Sequence, residues 1–398
     1  MIRTLLAALG ALLLLASCRS ISPGTVISIA TSASPEAAAR ALLQSKKTAY
    51  LRNPQQLAND LKNAQRDFEQ LMGILRGNAG EKWGKKEARV PDRTHYVKYT
   101  QGYLSRAVVD FDRGEITVET LDEKNPGNSL KDAIVTTLLT PHDPRAVDLF
   151  SDSSIKLTGE RDPYLLGLVL DDKGRAIATP QQAERFADGL VQTAQSRAIA
   201  TDAGSKQARF VRFAMVGNFS SKQAEKYRPL VEKYARTYNI SPSLVFAIMR
   251  TESNFNPFAV SSAPAYGLMQ LVPTSGGRAA YRRAKGADET PGKQYLFDAE
   301  NNIELGVAYL NVLAFNELEE VSDPVSREYC VISAYNTGPS NVLRTFDASR
   351  KRDSAIAAIN RMAAPAVYDK LRAQLPYAET RQYLQKVVGF RKQFVALN

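Results

Sequence analysis

"RTESNFNP" (250–257) closes the apolar run "SPSLVFAIM" (241–249), and how that junction is read decides the fold. Ser241 is a candidate helix cap and Pro242 suits a first helical position. Leu244, Ile248 and Glu252 then recur every four residues, which places them on one helical face. A carboxyl group that continues an apolar stripe faces a hydrophobic wall. Desolvation there disfavours its charged form and raises its pKa, which a general acid near neutral pH requires. Taken alone, the spacing fits better a glutamate that leaves the helix end for water or a salt bridge. Glycosidases usually work with two carboxylates, yet no acidic residue follows Glu252 until Asp288.

Helical texture extends to both sides of this junction. Residues 220–240 carry the apolar spacing of one helix, with Pro229 at an early position or a kink. "ENNIELGVAYLNVLAFNEL" places Ile303, Val307 and Leu310 on one stripe. Asp323, Pro324 and Gly338 read as cap, first residue and stop of another helix, and residues 379–392 form a last one. Three further stretches hold candidate site residues. In "AYGLMQLVPTS" (265–275), Gly267 permits close approach of backbone and ligand, Met269 offers a soft apolar surface to a ring, and Gln270 can donate to and accept from a sugar. In "SAYNTG" (333–338), Tyr335 and Asn336 end a helix where polar groups project into a cleft. In "ETRQYLQKV" (379–387), Tyr383 shares a stripe with Val387. Each piece alone reads as core or capping.

Together and in this order, E-S, G-L-M-Q, A-Y-N-x-G and a late tyrosine resemble the signature of lysozyme-like lytic murein transglycosylases. "QYLFDAENNIELGVAYL" (294–310) looks like the connecting helix of that family. In the first half, "KWGKK", "HYVKYTQGY", "VVDFDRGEITVET", "AIVTTLL" and "DPRAVDLFSD" are similar to the amino-terminal domain of its membrane-bound members. The likeness runs from about residue 67 to 395 and leaves 36–66 unmatched. It implies an α+β chain: a mostly α, lysozyme-like catalytic domain at the C-terminus, preceded by a smaller α+β domain. It implies Glu252 as a single acid/base on peptidoglycan glycan strands, with no cofactor and no metal. In that family the lone glutamate protonates the oxygen between N-acetylmuramate and N-acetylglucosamine, and the neighbouring N-acetyl group stabilises the developing cation. The ionised glutamate then takes the proton of the muramate 6-hydroxyl, which attacks C1 and leaves a 1,6-anhydro product. By the same resemblance Ser253, Ser261, Gly267, Met269, Gln270, Tyr335, Asn336 and Tyr383 line the sugar groove. One departure stands out: close relatives tend to carry a second serine two places after the one matching Ser261, where this chain has Ala263 followed by Pro264, so that a hydrogen bond to the N-acetyl or 6-hydroxyl is lost or is supplied by Ser262. A lysozyme-type hydrolase on the same fold and a wall-binding scaffold are the competing readings.

Ahead of the helical part, residues 36–219 read as one α+β domain. Residues 36–80 are helical in composition; "AVVDFDRGEITVET" (107–120) is a hairpin turning at Arg113-Gly114; 129–140 returns to helix; 164–177 is a strand pair turning at Lys173-Gly174; and 208–219 is a strand. No stretch here carries chemistry by itself. Residues 1–17 read as a signal peptide and 18–35, rich in Ser, Thr, Gly and Pro, as a tether. Leu15-Ala16-Ser17-Cys18 resembles a bacterial lipobox, with Cys18 as the lipidated residue, and Arg19 after it resembles an outer-membrane address facing the periplasm.

The whole chain fits these readings. Of its 398 residues 44% are hydrophobic and 23% charged, as in a globular protein of two or three domains, and the net charge is +11. That charge suits carboxylate-rich polymers or anionic head groups. An exported chain without a binding motif disfavours nucleic acid. With Cys18 lipidated, Cys330 has no disulfide partner, and His95 and His142 show no metal-ligand or triad spacing.

Overall fold

The computed structural model of the chain describes residues 54–155, 157, 162–202, 204–349 and 351–397. The expected signal peptide, tether and Cys18 lie outside them, as does the start of the helical stretch at 36. The described residues form two compact units, one of 54–75 with Ser262–Pro264, the other of 76–261 with 265–397. Apart from Cys18 and Ala263, every residue singled out above as a candidate belongs to the second.

Helix α1 (Pro54–Trp83) leads into a five-stranded antiparallel sheet of order β1-β2-β3-β5-β4. Its strands are β1 (His95–Thr100), β2 (Ser105–Asp110), β3 (Glu115–Thr120), β4 (Gln195–Thr201) and β5 (Gly204–Ala214). β2 and β3 are the expected hairpin, with Val109 opposite Ile116 and Ala107 opposite Val118. Asp110 accepts the N–H groups of Asp112 and Arg113 at 2.9 Å in the turn, and Gly114 takes a φ of +65° against the ring of Phe219. Helix α2 (Pro126–Leu139) packs on β2 and β3, which buries Val109, Ile116 and Val118. Helix α3 (Pro180–Gln192) opens with a capping box of Thr179 and Gln182.

The expected strand pair at 164–177 is a correction. Asp171 and Arg175 close the turn at Lys173-Gly174, but only isolated bridges form, Leu170 with Ala176 and Leu166 with Val169. Asp171 accepts the Arg175 backbone and guanidinium, so the tight turn satisfies itself without a strand ladder.

The helical part comprises α4 (Phe219–Thr237), with Pro229 in its interior, then α5 (Pro242–Ser253) and α6 (Arg278–Lys285). Next come α7 (Lys293–Phe297), α8 (Ala299–Val312), α9 (Pro324–Thr337) and α10 (Pro339–Phe346). Last are α11 (Arg352–Asn360), α12 (Ala364–Gln374) and α13 (Ala378–Arg391). Asp323 caps α9 by accepting the Ser326 N–H at 2.7 Å, and Gly338 stops it at a φ of +84°. α8 packs on α4 and α6, while α5 packs on α13, which also meets α9 and α12. Ile303, Val307 and Leu310 on α8 are fully buried, as is Cys330 on α9.

Candidate active site

Helix α5 is buried almost all round: Leu244 through Met249 are each under 5% exposed. Such a helix belongs at the centre of a domain, so its last turn opens onto structure rather than water. Glu252 sits there at 5% exposure. Tyr383 of α13 donates its hydroxyl to Glu252 Oε1 at 2.8 Å. Burial pushes the carboxyl up to about 7; the Tyr383 hydrogen bond and the Arg93 charge pull down against it, and the Glu379 charge pushes up. The group is therefore poised between acid and base near neutrality. Asn254 ends the helix in the left-handed region (φ 46°), and its amide donates to the Phe111 carbonyl of the sheet region at 2.5 Å. That bond fixes the end of α5, and Glu252 with it, against the α+β part.

The 265–271 stretch is a tight turn closed by reciprocal bonds between Tyr266 and Leu271. Asn302 of α8 clamps it from behind. Its amide nitrogen donates to the carbonyls of Tyr266 and Leu296, and its Oδ1 accepts the Met269 N–H, all at 2.8 Å. Tyr335 donates to the Met269 carbonyl at 2.9 Å, and Ser253 to the Leu268 carbonyl at 2.8 Å. Gln270 adopts a φ of 46°, an uncommon backbone for a non-glycine residue. Its Nε2 donates to the Gly267 carbonyl, and its Oε1 is buried with no hydrogen-bond partner among the described residues. An unpaired buried acceptor is uncommon in a folded chain.

Three of the residue-level expectations change. Gly267 (φ +76°) is required for close approach to the protein itself, because a Cβ there would lie 2.5 Å from Asn302 Nδ2 and 2.6 Å from the Leu296 carbonyl. Met269 is fully buried with its sulfur against Gly306, so its side chain supports the turn rather than offering a face to a sugar ring. Ser253 is likewise fully buried and ties α5 to the turn through its hydroxyl. Tyr335 stacks obliquely on Tyr309 with ring centres 5.4 Å apart. Asn336 accepts from Thr380 at 2.7 Å, joining α9 to α13 beside Tyr383. Ser261 is half-buried, and its N–H donates to the Ala265 carbonyl at 3.3 Å. Three residues that matter here were not anticipated. Asn302, a poor helix former inside a helix, carried a faint signal. Arg93 and Glu379, an ion pair at 3.2 Å between residues far apart in the chain, carried none.

A buried carboxyl at the end of a core helix, hydrogen-bonded by a tyrosine beside an amide-bearing turn, is an arrangement suited to proton transfer. Comparison with known proteins narrows the class. Residues 53–226 match the model for the N-terminal domain of membrane-bound lytic murein transglycosylase C, and residues 229–357 match the transglycosylase SLT domain. Membrane-bound lytic murein transglycosylase C of Sodalis glossinidius is 42% identical over 327 residues, covering 82% of this chain and 90% of that protein. Its counterpart in Yersinia pestis is 40% identical over 328 residues, covering 82% and 89%. Among solved structures, the lytic transglycosylase Slt of Pseudomonas aeruginosa is 27% identical over 42% of this chain and 23% of its own, at a TM-score of 0.32, too low to bear on the fold. The chain belongs to the membrane-bound lytic murein transglycosylase C family.

Proposed function

We propose that Glu252 alone runs both halves of the lytic reaction on peptidoglycan that family membership gives this chain. Protonated, it donates to the β-1,4 oxygen as the bond from muramate C1 breaks. The N-acetyl group stabilises the cation at C1. Ionised, Glu252 then takes the proton of the muramate 6-hydroxyl as that oxygen bonds to C1. No water is consumed, and the product ends in 1,6-anhydro-N-acetylmuramate. The observation that carries this reading is the burial of Glu252, which keeps its carboxyl protonated until about pH 7 while Tyr383 stands ready to stabilise the anion. Gln270, Tyr335, Asn336, Ser261 and Tyr383 are the residues we place along the glycan, with Ser253, Gly267 and Met269 shaping the groove from behind.

A hydrolytic reading has one observation in its favour. The Glu379 carboxylate is close enough for its charge to act on Glu252. It is 65% exposed and engaged by Arg93, however, which suits a rim charge better than a nucleophile or a base for water. Replacing each glutamate separately tests the assignment on purified peptidoglycan. Glu252→Gln is expected to abolish lysis, and Glu379→Gln to retain it with products that still lack reducing ends. Full lysis by Glu252→Gln would end the proposal.

We further read residues 36–219 and 220–398 as the two domains, a boundary close to the gap between the matched segments at 226 and 229. The relatives' description as membrane-bound, with the lipobox-like Leu15–Cys18 stretch, supports attachment through a lipid on Cys18 at the outer membrane, facing the periplasm. Among the described residues no helix is long and apolar enough to cross a membrane.

A further inference from the structure

The α+β part reaches the catalytic centre through the segment that precedes β1. Asp92 and Arg93 are held there by backbone anchors. The Asp92 carbonyl accepts the Val260 N–H at 3.4 Å, and the Arg93 carbonyl accepts the Asn256 amide at 3.1 Å. The Asp92 carboxylate accepts the N–H groups of Thr94 and His95 at 2.8 and 2.7 Å, which fixes the turn. Next to it, the rings of Tyr96 and Phe258 pack at a tilt of 53° with centres 4.8 Å apart. The backbone of Arg93 is thus immobilised against the residues that follow α5, and its guanidinium meets Glu379 at 3.2 Å.

Glu379 lies in the first turn of α13 and Tyr383 stands four residues on. Side chains at that spacing are neighbours on one helix face, about 5–6 Å apart at Cβ. The chain of contacts therefore runs Arg93, Glu379, Tyr383, Glu252. The two charged members are partly exposed, 41% and 65%, so as a surface ion pair they contribute little to stability. Their charges, in contrast, act on a carboxyl in a low-dielectric site, where a field is felt more strongly than in water.

We propose that Arg93, supplied by the α+β region, is a positioning residue of the catalytic centre, and that with Glu379 it forms a pair of opposed charges setting the acid/base balance of Glu252. The proposal rests on the acid/base reading of Glu252. Its consequence is a division of labour: the α+β region completes the electrostatic environment of the catalytic carboxyl, and the helical region alone would hold a weaker acid. Arg93 favours the ionised carboxylate needed in the second half of the reaction, and Glu379 favours the protonated form needed in the first. The other titratable groups facing Glu252 are the hydroxyls of Tyr383 and Tyr335, both raised well above their ordinary range by burial and neutral throughout the working window. His95, two residues from Arg93, pairs with Asp92 at 3.0 Å and Asp110 at 3.5 Å.

The test is the pH profile of kcat/KM on solubilised peptidoglycan with the full-length protein, its descending limb marking deprotonation of the general acid. Arg93→Gln is expected to move that limb to higher pH and Glu379→Gln to lower pH. Each shift is of order half a pH unit at low salt and smaller at 1 M salt. The double variant should return close to the parent, Arg93→Lys should keep the parent limb, and His95→Gln should leave it in place. Thermal melting checks that each variant folds. Unmoved limbs in correctly folded variants, or a rise in KM alone, would overturn the proposal. Glu252→Gln in the same assay separates the two claims: residual activity there refutes the acid/base reading, whereas its inactivity with unmoved Arg93 and Glu379 limbs refutes only this inference.

Discussion

Replacing Glu252 by glutamine should stabilise the protein while abolishing its activity, and the stabilisation should depend on pH. Glutamine is close in shape to a protonated glutamate, and its amide oxygen can still accept from Tyr383, so little else changes. The wild-type carboxyl has a folded-state pKa raised from 4.5 to about 7 by burial. Below pH 4.5 the group is protonated in both the folded and unfolded chains, and its favourable contribution is fully present. Between 4.5 and about 7 the unfolded chain ionises while the folded chain does not, so stability falls as pH rises. Above about 7 both are ionised and the loss is complete. At 1.36 kcal/mol per pH unit, the loss is about 3 kcal/mol. The group is 5% exposed, so solvent screening does not reduce this much. Urea unfolding of the two proteins at several pH values isolates the effect, because all other titrating groups cancel in the difference. The variant should match the wild type near pH 4.5 and exceed it by about 3 kcal/mol at pH 8. A difference that stays flat from pH 4.5 to 8 would refute the claim that burial holds this carboxyl as an acid.

Two further variants probe the surroundings. Tyr383→Phe removes the donor that favours the ionised carboxylate, so the descending limb of kcat/KM should move to higher pH and kcat should fall roughly ten-fold or more, as expected for a lost hydrogen bond to a charge; an unchanged profile would exclude Tyr383 from the acid/base machinery. Asn302→Ala strips three buried hydrogen bonds from the 266–269 turn and should cost about 3 kcal/mol in unfolding free energy together with most of the activity; a variant as stable as the parent would show that the turn is held by something else.

The pattern of what could be read from sequence follows from the range of the interactions. The Leu244, Ile248 and Glu252 stripe is local and periodic, and the helix formed with its glutamate buried. The 107–120 hairpin was legible because its alternation and its Gly114 turn are also local. β1 escaped because four consecutive residues, 96–99, are buried, which erases the period-two signal of a half-exposed strand. β4 escaped for the opposite reason: it is an edge strand, exposed along most of its length. α3 carries a local signal in its Thr179/Gln182 capping box, although the sequence reading assigns no element between 177 and 208. At the site, the order of short motifs pointed to Glu252, Gln270, Tyr335 and Tyr383. It did not separate residues that face a ligand from those that hold them. Gly267 and Met269 proved to serve the packing of the turn against Asn302 and Gly306, because a motif records which residues a site needs and not which neighbour each one meets. The Arg93–Glu379 pair spans most of the described chain and leaves no trace at any sequence spacing.

The central claim is that the 6-hydroxyl of muramate, and not water, takes up the cation that Glu252 generates. The direct measurement is the mass of the products released from purified peptidoglycan in water enriched in oxygen-18. The account predicts muropeptides one water lighter than hydrolysis products, without a reducing end and without the heavy isotope. Reducing muropeptides carrying oxygen-18 at C1 would contradict it and shift attention to Glu379 as a partner for water.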